Sequence, residues 1–348
     1  MSLLEIRNLW IEFRTPHGTI QAVRNINYSV ENGEILGIVG ESGSGKSVSM
    51  LAVLGLLASN SVIRSGEILF NGKNISPLSP EFKNRPDLYE KTMKDIRGNR
   101  ISMVFQDPMS FLNPLLKIGT QITEGIICHT HCTKAAAKKQ AIDLMKSVGI
   151  PAAEDRFDQY PFEFSGGMRQ RIIIAIALSC NPELIIADEP TTALDVTVQA
   201  QIMDLLKKIA DERNTAIIMI THNLGVVAKL CDRINIMYAG DIVETGTTDQ
   251  IFYEPRHWYT RGLLESIGMN IGSGRVKLPS IPGTPPDLLN LNKGCAFMPR
   301  CSHAMNICRD YKPAVSQFNA TQAARCWDYC KDRADEIVAQ QDKEETLQ

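Results

Sequence analysis

Gly40-Glu41-Ser42-Gly43-Ser44-Gly45-Lys46-Ser47 decides how this chain is read. It follows the pattern G-x-x-x-x-G-K-[ST]. Glu34 to Val39, just before it, is a short apolar run that predicts a buried strand, and Ser47 to Leu57, just after it, predicts a helix. Strand, glycine loop and helix N-terminus together make a phosphate cradle. Loop N–H groups point inward and the helix dipole adds partial positive charge. Gly40, Gly43 and Gly45 let backbone approach a phosphate without Cβ clashes. Lys46 is placed to reach β- and γ-phosphates, and the Ser47 hydroxyl to hold Mg²⁺.

The chain of 348 residues has room for one large domain and a smaller one, and its 44% hydrophobic content supports a full core. A net charge of −2 argues against a nucleic-acid footprint, so no nucleic-acid partner is expected. Met1 to Trp10 alternates polar and apolar residues, unlike a signal peptide. No window approaches the ~18 apolar residues of a membrane-spanning helix. A cytosolic chain is expected, with any membrane role exercised through a partner. The nine cysteines then favour thiols or metal ligands over disulfides.

Residues 3 to 30 predict antiparallel β-structure with a turn at Thr15-Pro16-His17-Gly18. Phe13, just before that turn, presents a ring that could stack on a base or pack on the sheet. Ser65 to Asn71 predicts a strand, and residues 75 to 99 a polar excursion with a helix around Leu88 to Ile96. Ile101 to Phe105 predicts a strand that delivers Gln106 to its end, where a side chain meets metal or water. Residues 119 to 180 read as largely helical, with Thr133 as a helix cap. The run Cys128 to Cys132 reads as a solvent-facing helix end, since five consecutive residues cannot all face one ion. Ser165-Gly166-Gly167 opens another helix. Leu184 to Glu189 predicts a strand ending in two carboxylates, Asp188 for hydrated Mg²⁺ and Glu189 for orienting a water. A helix from Val196 to Arg213, a strand ending at Thr221-His222, and a hairpin from Arg233 to Glu244 complete this part.

These pieces, in this order over roughly residues 3 to 265, resemble the nucleotide-binding subunit of ABC transporters. The resemblance implies an α/β P-loop NTPase fold: a mixed sheet core, an antiparallel β subdomain, and a helical subdomain at about 107–180. It implies ATP held by Phe13, the loop from Gly40 to Ser47, Val48, Gln106, Asp188 and His222. Mg²⁺ would sit on Ser47, Gln106 and Asp188. Glu189, His222, Gln106 and Lys46 would carry catalysis. Ser165, Gly166 and Gly167, the signature, and Asp195, the D-loop, would serve a partner's nucleotide. The signature opens with Phe164 where Leu is commoner and continues with Met168 where Gln is, and Asn223 follows His222 where Asp is usual. One copy of each motif implies half of a head-to-tail pair, with a second ATPase subunit as the other half. A non-transport ABC ATPase would carry two halves or a coiled-coil insertion, and a metal-binding module would not need these motifs.

The tail narrows the resemblance to the oligopeptide/dipeptide permease branch, which nickel importers share. The stretches that carry it are Pro255 to Leu264 (with Trp258 where proline is usual), Ile281 to Asp287, Gly294-Cys295 and Pro299-Arg300-Cys301. This branch implies peptide import with ATP binding closing the pair and hydrolysis reopening it. It also implies two transmembrane permease subunits docking near Met109 to Ile118, an extracytoplasmic peptide-binding protein, and a peripheral place on the cytoplasmic face of the cell membrane. Import of nickel or other metal chelates is the alternative. Domains are expected at 1–265, at 266–330 as a small Cys-rich extension, and at 331–348 as a polar, frayed tail. In the extension, Cys295-x5-Cys301-x6-Cys308-x17-Cys326 offers four thiols in a segment with little core of its own. Tetrahedral Zn²⁺, a [4Fe–4S] cluster, and free or oxidised thiols are all open to such a set. Spacings wider than a zinc ribbon's paired C-x2-C weigh against zinc, and the resemblance weighs towards the cluster. Cys330 falls outside the family pattern.

Overall fold

In chain order the strands are β1 (Leu4–Thr15), β2 (Gly18–Val30), β3 (Ile35–Val39), β4 (Ser61–Phe70), β5 (Lys73–Asn74), β6 (Ile101–Val104), β7 (Leu184–Asp188), β8 (Ala216–Thr221), β9 (Arg233–Tyr238), β10 (Asp241–Thr247), β11 (Ser316–Gln317) and β12 (Ala323–Ala324). This computed structural model describes residues 2–106, 108–192, 194–266 and 280–346. The first stretch of the expected extension, 267–279, lies outside the described residues, as do Asp107, where the helical subdomain was expected to begin, and Ala193.

The larger sheet has the order β11-β12-β10-β9-β3-β8-β7-β6. Its centre is parallel, with β6 beside β7, β7 beside β8, and β3 between β8 and β9. Every residue of β3, β7 and β8 is buried, which explains their continuous apolar runs. Their side chains alternate between two cores. Ile35, Val39, Ile185, Ala187, Ile217 and Met219 meet the helical layer. Leu36, Ile38, Leu184, Ile186, Ile218 and Ile220 meet the smaller sheet and the helix Lys46–Val53. That smaller sheet is antiparallel, ordered β2-β1-β4-β5.

The helical layer comprises Ile118–Thr130, Lys134–Ser147, Ala153–Arg156 and Gly166–Ala177. Ile122, Ile126, Ala137, Ala141, Leu144, Ile172 and Ile174 fill its centre. Each fully buried isoleucine there contributes about 1.5–3 kcal/mol. Thr133 caps its helix by accepting from the Ala136 N–H at 3.3 Å.

Three expectations change. The helix after the phosphate loop stops at Val53, short of Leu57. Gly55 takes φ 61° and the Leu56 N–H bonds back to Leu51 O at 2.8 Å, a turn that ends a helix. The tail is not a separate appendage: β12 pairs antiparallel with β10 and extends the main sheet. Nor does it lack a core of its own. Cys308, Trp327, Cys330 and Ile337 form their own buried cluster. The last helix, Ala334–Thr346, is held by Gln341, which accepts from the Lys312 N–H at 3.0 Å and donates to its carbonyl at 2.7 Å.

His257 sits at this junction, 2% exposed, its Nδ1 accepting from the Tyr259 N–H at 3.1 Å. Burial pushes its pKa from 6.5 down to about 4. The folded chain therefore binds fewer protons than the unfolded chain between these values. The stability His257 contributes is complete above pH 6.5 and is lost as pH falls towards 4, up to about 3 kcal/mol. We expect thermal unfolding midpoints to fall across that window in the wild type and to fall less steeply in His257→Gln. Equal slopes would remove His257 from the account.

Candidate active site

Four parallel strands deliver their C-terminal ends to one cleft of about 400 Å³. β3 runs into the glycine loop, β6 delivers Gln106, β7 delivers Asp188 and Glu189, and β8 delivers His222. Ser42 to Val48, Gln106, Asp188, Glu189, Thr192 and His222 line it. Residues as far apart in sequence as Ser42 and His222 thus share one wall, as the motifs implied. Gly40, Glu41 and Phe13 do not line the cleft. Phe13 lies half-buried on β1 opposite Ile20 and Ser61, against the antiparallel core.

The glycines also answer to packing and backbone conformation. A Cβ on Gly45, whose φ is 96°, would come within 2.3 Å of the Ala22 carbonyl oxygen, so packing against β2 demands a glycine there. Gly43 faces open space and is needed for its φ of 77°.

Lys46 is 6% exposed. Its ammonium donates to the carbonyls of Gly40 at 2.7 Å and Glu41 at 2.8 Å. Burial lowers its pKa, and the carboxylates of Glu189, Asp188 and Glu41 oppose that shift. Asp188 is 8% exposed. Burial raises its pKa, while the Ser47 hydroxyl, hydrogen-bonded to it, works the other way. A buried carboxylate backed by a serine hydroxyl suits a hard divalent cation, which would restore the charge that burial opposes.

Glu189 takes a left-handed backbone, φ 46°, which is strained for a residue with a side chain. Its carboxylate is caught by three side chains: Gln106 donates to it at 3.0 Å, Thr192 at 2.9 Å, and His222 Nδ1 lies 2.9 Å away. Burial pushes its pKa up, but the His222 and Thr192 hydrogen bonds and the charge of Lys46 outweigh that and leave it lowered. Thr192 was not anticipated. Its position, one turn past the strand-end carboxylate, is the signal that would have found it. Asn223 caps the helix Leu224–Leu230 through Oδ1, accepting from the Gly225 N–H at 2.9 Å. Asparagine and aspartate do that equally well.

Ser165, Gly166, Gly167 and Asp195 stand away from this cleft. Ser165 caps the helix Gly166–Ala177 and Asp195 caps Val196–Arg213. The two caps are neighbours, since a Cβ on Gly167 would lie 2.6 Å from Val198. Beside them Val196 is 81% exposed.

Among the described residues no three His, Cys, Asp or Glu side chains gather as ligands for a metal ion. This arrangement supports neither the [4Fe–4S] cluster nor the Zn²⁺ expected on Cys295, Cys301, Cys308 and Cys326. Burial pushes Cys295 and Cys326 up to about 12 and raises Cys301. All nine cysteines are unpaired by disulfides.

Parallel strand ends that meet at a glycine loop with its buried lysine define a P-loop nucleotide-binding cleft. Residues 23–192 match the ABC transporter family, and residues 243–308 match the oligopeptide/dipeptide transporter C-terminal region. The chain is 52% identical over 326 residues to the oligopeptide transport ATP-binding protein OppD of Bacillus subtilis, covering 93% of this chain and 88% of that one. It is 48% identical over 326 residues to the dipeptide transport ATP-binding protein DppD of Lactococcus lactis, covering 93% and 90%. The dimeric, ADP- and Pi-bound ATP-binding cassette MJ0796 is similar in fold, at a TM-score of 0.60 and 27% identity over 70% of this chain and 98% of that one. The chain belongs to the ATP-binding protein family of oligopeptide and dipeptide ABC transporters.

Proposed function

We propose that this chain hydrolyses ATP to drive uptake of oligopeptides or dipeptides through a membrane permease. The observation that carries the reading is the Glu189 carboxylate, placed at a parallel strand end beside Lys46 and Asp188 in the phosphate-loop cleft. The similarity to OppD and DppD supports the peptide class of solute.

Lys46 holds the β- and γ-phosphates, exchanging its bonds to loop carbonyls for bonds to phosphate oxygens. Ser47, Asp188 and Gln106 would hold Mg²⁺, which neutralises charge at the γ-phosphate. Glu189, its pKa lowered by His222, Thr192 and Lys46, is a weak base. Its part is to orient the attacking water, and His222 holds the γ-phosphate. Phe13 supplies a ring for adenine from β1.

Ser165, Gly166, Gly167 and Asp195 serve the nucleotide of a second ATPase subunit. Their absence from the lining of their own cleft and the exposed Val196 beside them support this pairing. Permease subunits dock on the helical layer, where Phe111, Leu115 and Leu116 are 49%, 82% and 39% exposed. No helix among the described residues is long and apolar enough to cross a membrane, so contact with the cytoplasmic face runs through those subunits. A peptide-binding protein outside the membrane delivers the solute. In domain terms, residues 1–265 form the cassette and the segment beyond it a Cys-bearing extension.

Cys295, Cys301, Cys308 and Cys326 hold a [4Fe–4S] cluster in this reading. Cys295 and Cys301 flank one short turn, and the Cys295 N–H donates to Cys308 O at 2.8 Å. Ligation would supply the cation these buried thiols need to ionise.

Glu189→Gln keeps the carboxylate's shape and loses its charge. In the assembled transporter it should retain ATP binding and lose hydrolysis by about two orders of magnitude or more; near wild-type turnover would overturn the catalytic assignment. Anaerobically purified chain should absorb broadly near ~400 nm and carry about four irons. A colourless anaerobic preparation without iron would remove the cluster.

A further inference from the structure

Glu41 is the second residue of the phosphate loop, and a carboxylate is electrostatically wrong beside a triphosphate. Its partner comes from 259 positions along the chain. The Arg300 guanidinium forks onto it, Nη1 to Oε2 at 2.6 Å and Nη2 to Oε1 at 3.0 Å. The Arg300 side chain is only 6% exposed and that of Glu41 25%. Two further donors are used, Nε donating to the Pro282 carbonyl at 2.9 Å and Nη1 also reaching Tyr238 Oη at 3.3 Å. The Glu41 N–H donates to Tyr259 Oη at 2.9 Å, and the Tyr238 and Tyr259 rings meet at 4.6 Å. On its other side the Glu41 carbonyl accepts from Lys46 Nζ at 2.8 Å. One continuous path of hydrogen bonds thus runs from the turn between Cys295 and Cys301 to the buried ammonium of the cleft.

We propose that Arg300 is a positioning residue for nucleotide binding: it neutralises Glu41 and bolts the Cys295–Cys301 turn to the loop that receives the triphosphate. This rests on the reading of the cleft as the ATP site. Without Arg300 the Glu41 carboxylate is left uncompensated in the loop that carries Lys46, and the loop loses its outer anchor. A planar fork does both tasks, whereas lysine supplies charge without the fork. Coupling of this kind is reciprocal, so nucleotide in the cleft also holds the turn.

The test is equilibrium binding of a fluorescent ATP analogue with Mg²⁺ to the full chain, with kcat and KM for ATP in the assembled transporter. Arg300→Met weakens binding by about ten-fold and raises KM while kcat stays within about two-fold. Glu41→Gln added to Arg300→Met restores affinity to within about three-fold of wild type, because the unpaired charge is gone. A role limited to holding the tail in place gives no such rescue. Unchanged affinity in a folded Arg300→Met, or a double variant as weak as the single, overturns the proposal. Should Arg300→Met fail to fold, Arg300→Lys carries the test: binding about three-fold weaker supports the proposal, and unchanged binding overturns it. Lys46→Ala separates the two readings. Intact binding there sinks the reading of the cleft and this proposal with it. Lost binding there with unchanged binding in Arg300→Met sinks the proposal alone.

Discussion

A buried ammonium sets the layout of this molecule. Lys46 is almost wholly enclosed, and its charge is tolerated because two backbone carbonyls accept from it and three carboxylates lie within its field. Each partner has to arrive on its own piece of structure: the carbonyls from the loop after β3, Asp188 and Glu189 from the end of β7. The parallel sheet is what brings these ends together, and two buried cores, one on each face, keep the strands in register. Gly45 closes the arrangement by letting the loop lie directly on β2.

The same charge economy explains the resting geometry of Glu189. A strained backbone turns its carboxylate into the cleft, and Gln106, Thr192 and His222 hold it there. Held in this way it binds protons weakly, which favours orienting a water over removing its proton. The surface that pairing would cover sits elsewhere, at the adjacent caps Ser165 and Asp195. In the proposed cycle a second chain brings such caps to this cleft, and nucleotide drives the joining.

Much of this was legible before the structure. The phosphate loop, the strand-end positions of Gln106, Asp188 and His222, and the cap at Thr133 all follow from local pattern, because strand periodicity and capping act over a few residues. The stop at Gly55 was equally local and was passed over, since apolar Leu56 and Leu57 continued the helical pattern. The tail was less readable. Its two-residue strands owe their existence to the edge of β10, and its small core depends on Trp327 and Ile337 meeting Cys308 across long gaps in sequence. The Arg300–Glu41 pair had no local signal at all. The metal expectation was unreadable for a related reason: cysteine spacing does not state whether the thiols converge.

The central claim is that each cleft is completed by another chain. The measurement that tests it most directly is the position of the γ-phosphate in the assembled transporter, trapped with ATP through Glu189→Gln. The account predicts that Lys46 of one chain and the signature serine of its partner subunit contact the same γ-phosphate, with this chain's Ser165 against the other nucleotide. A nucleotide held within one chain alone, with Ser165 open to solvent, would contradict it.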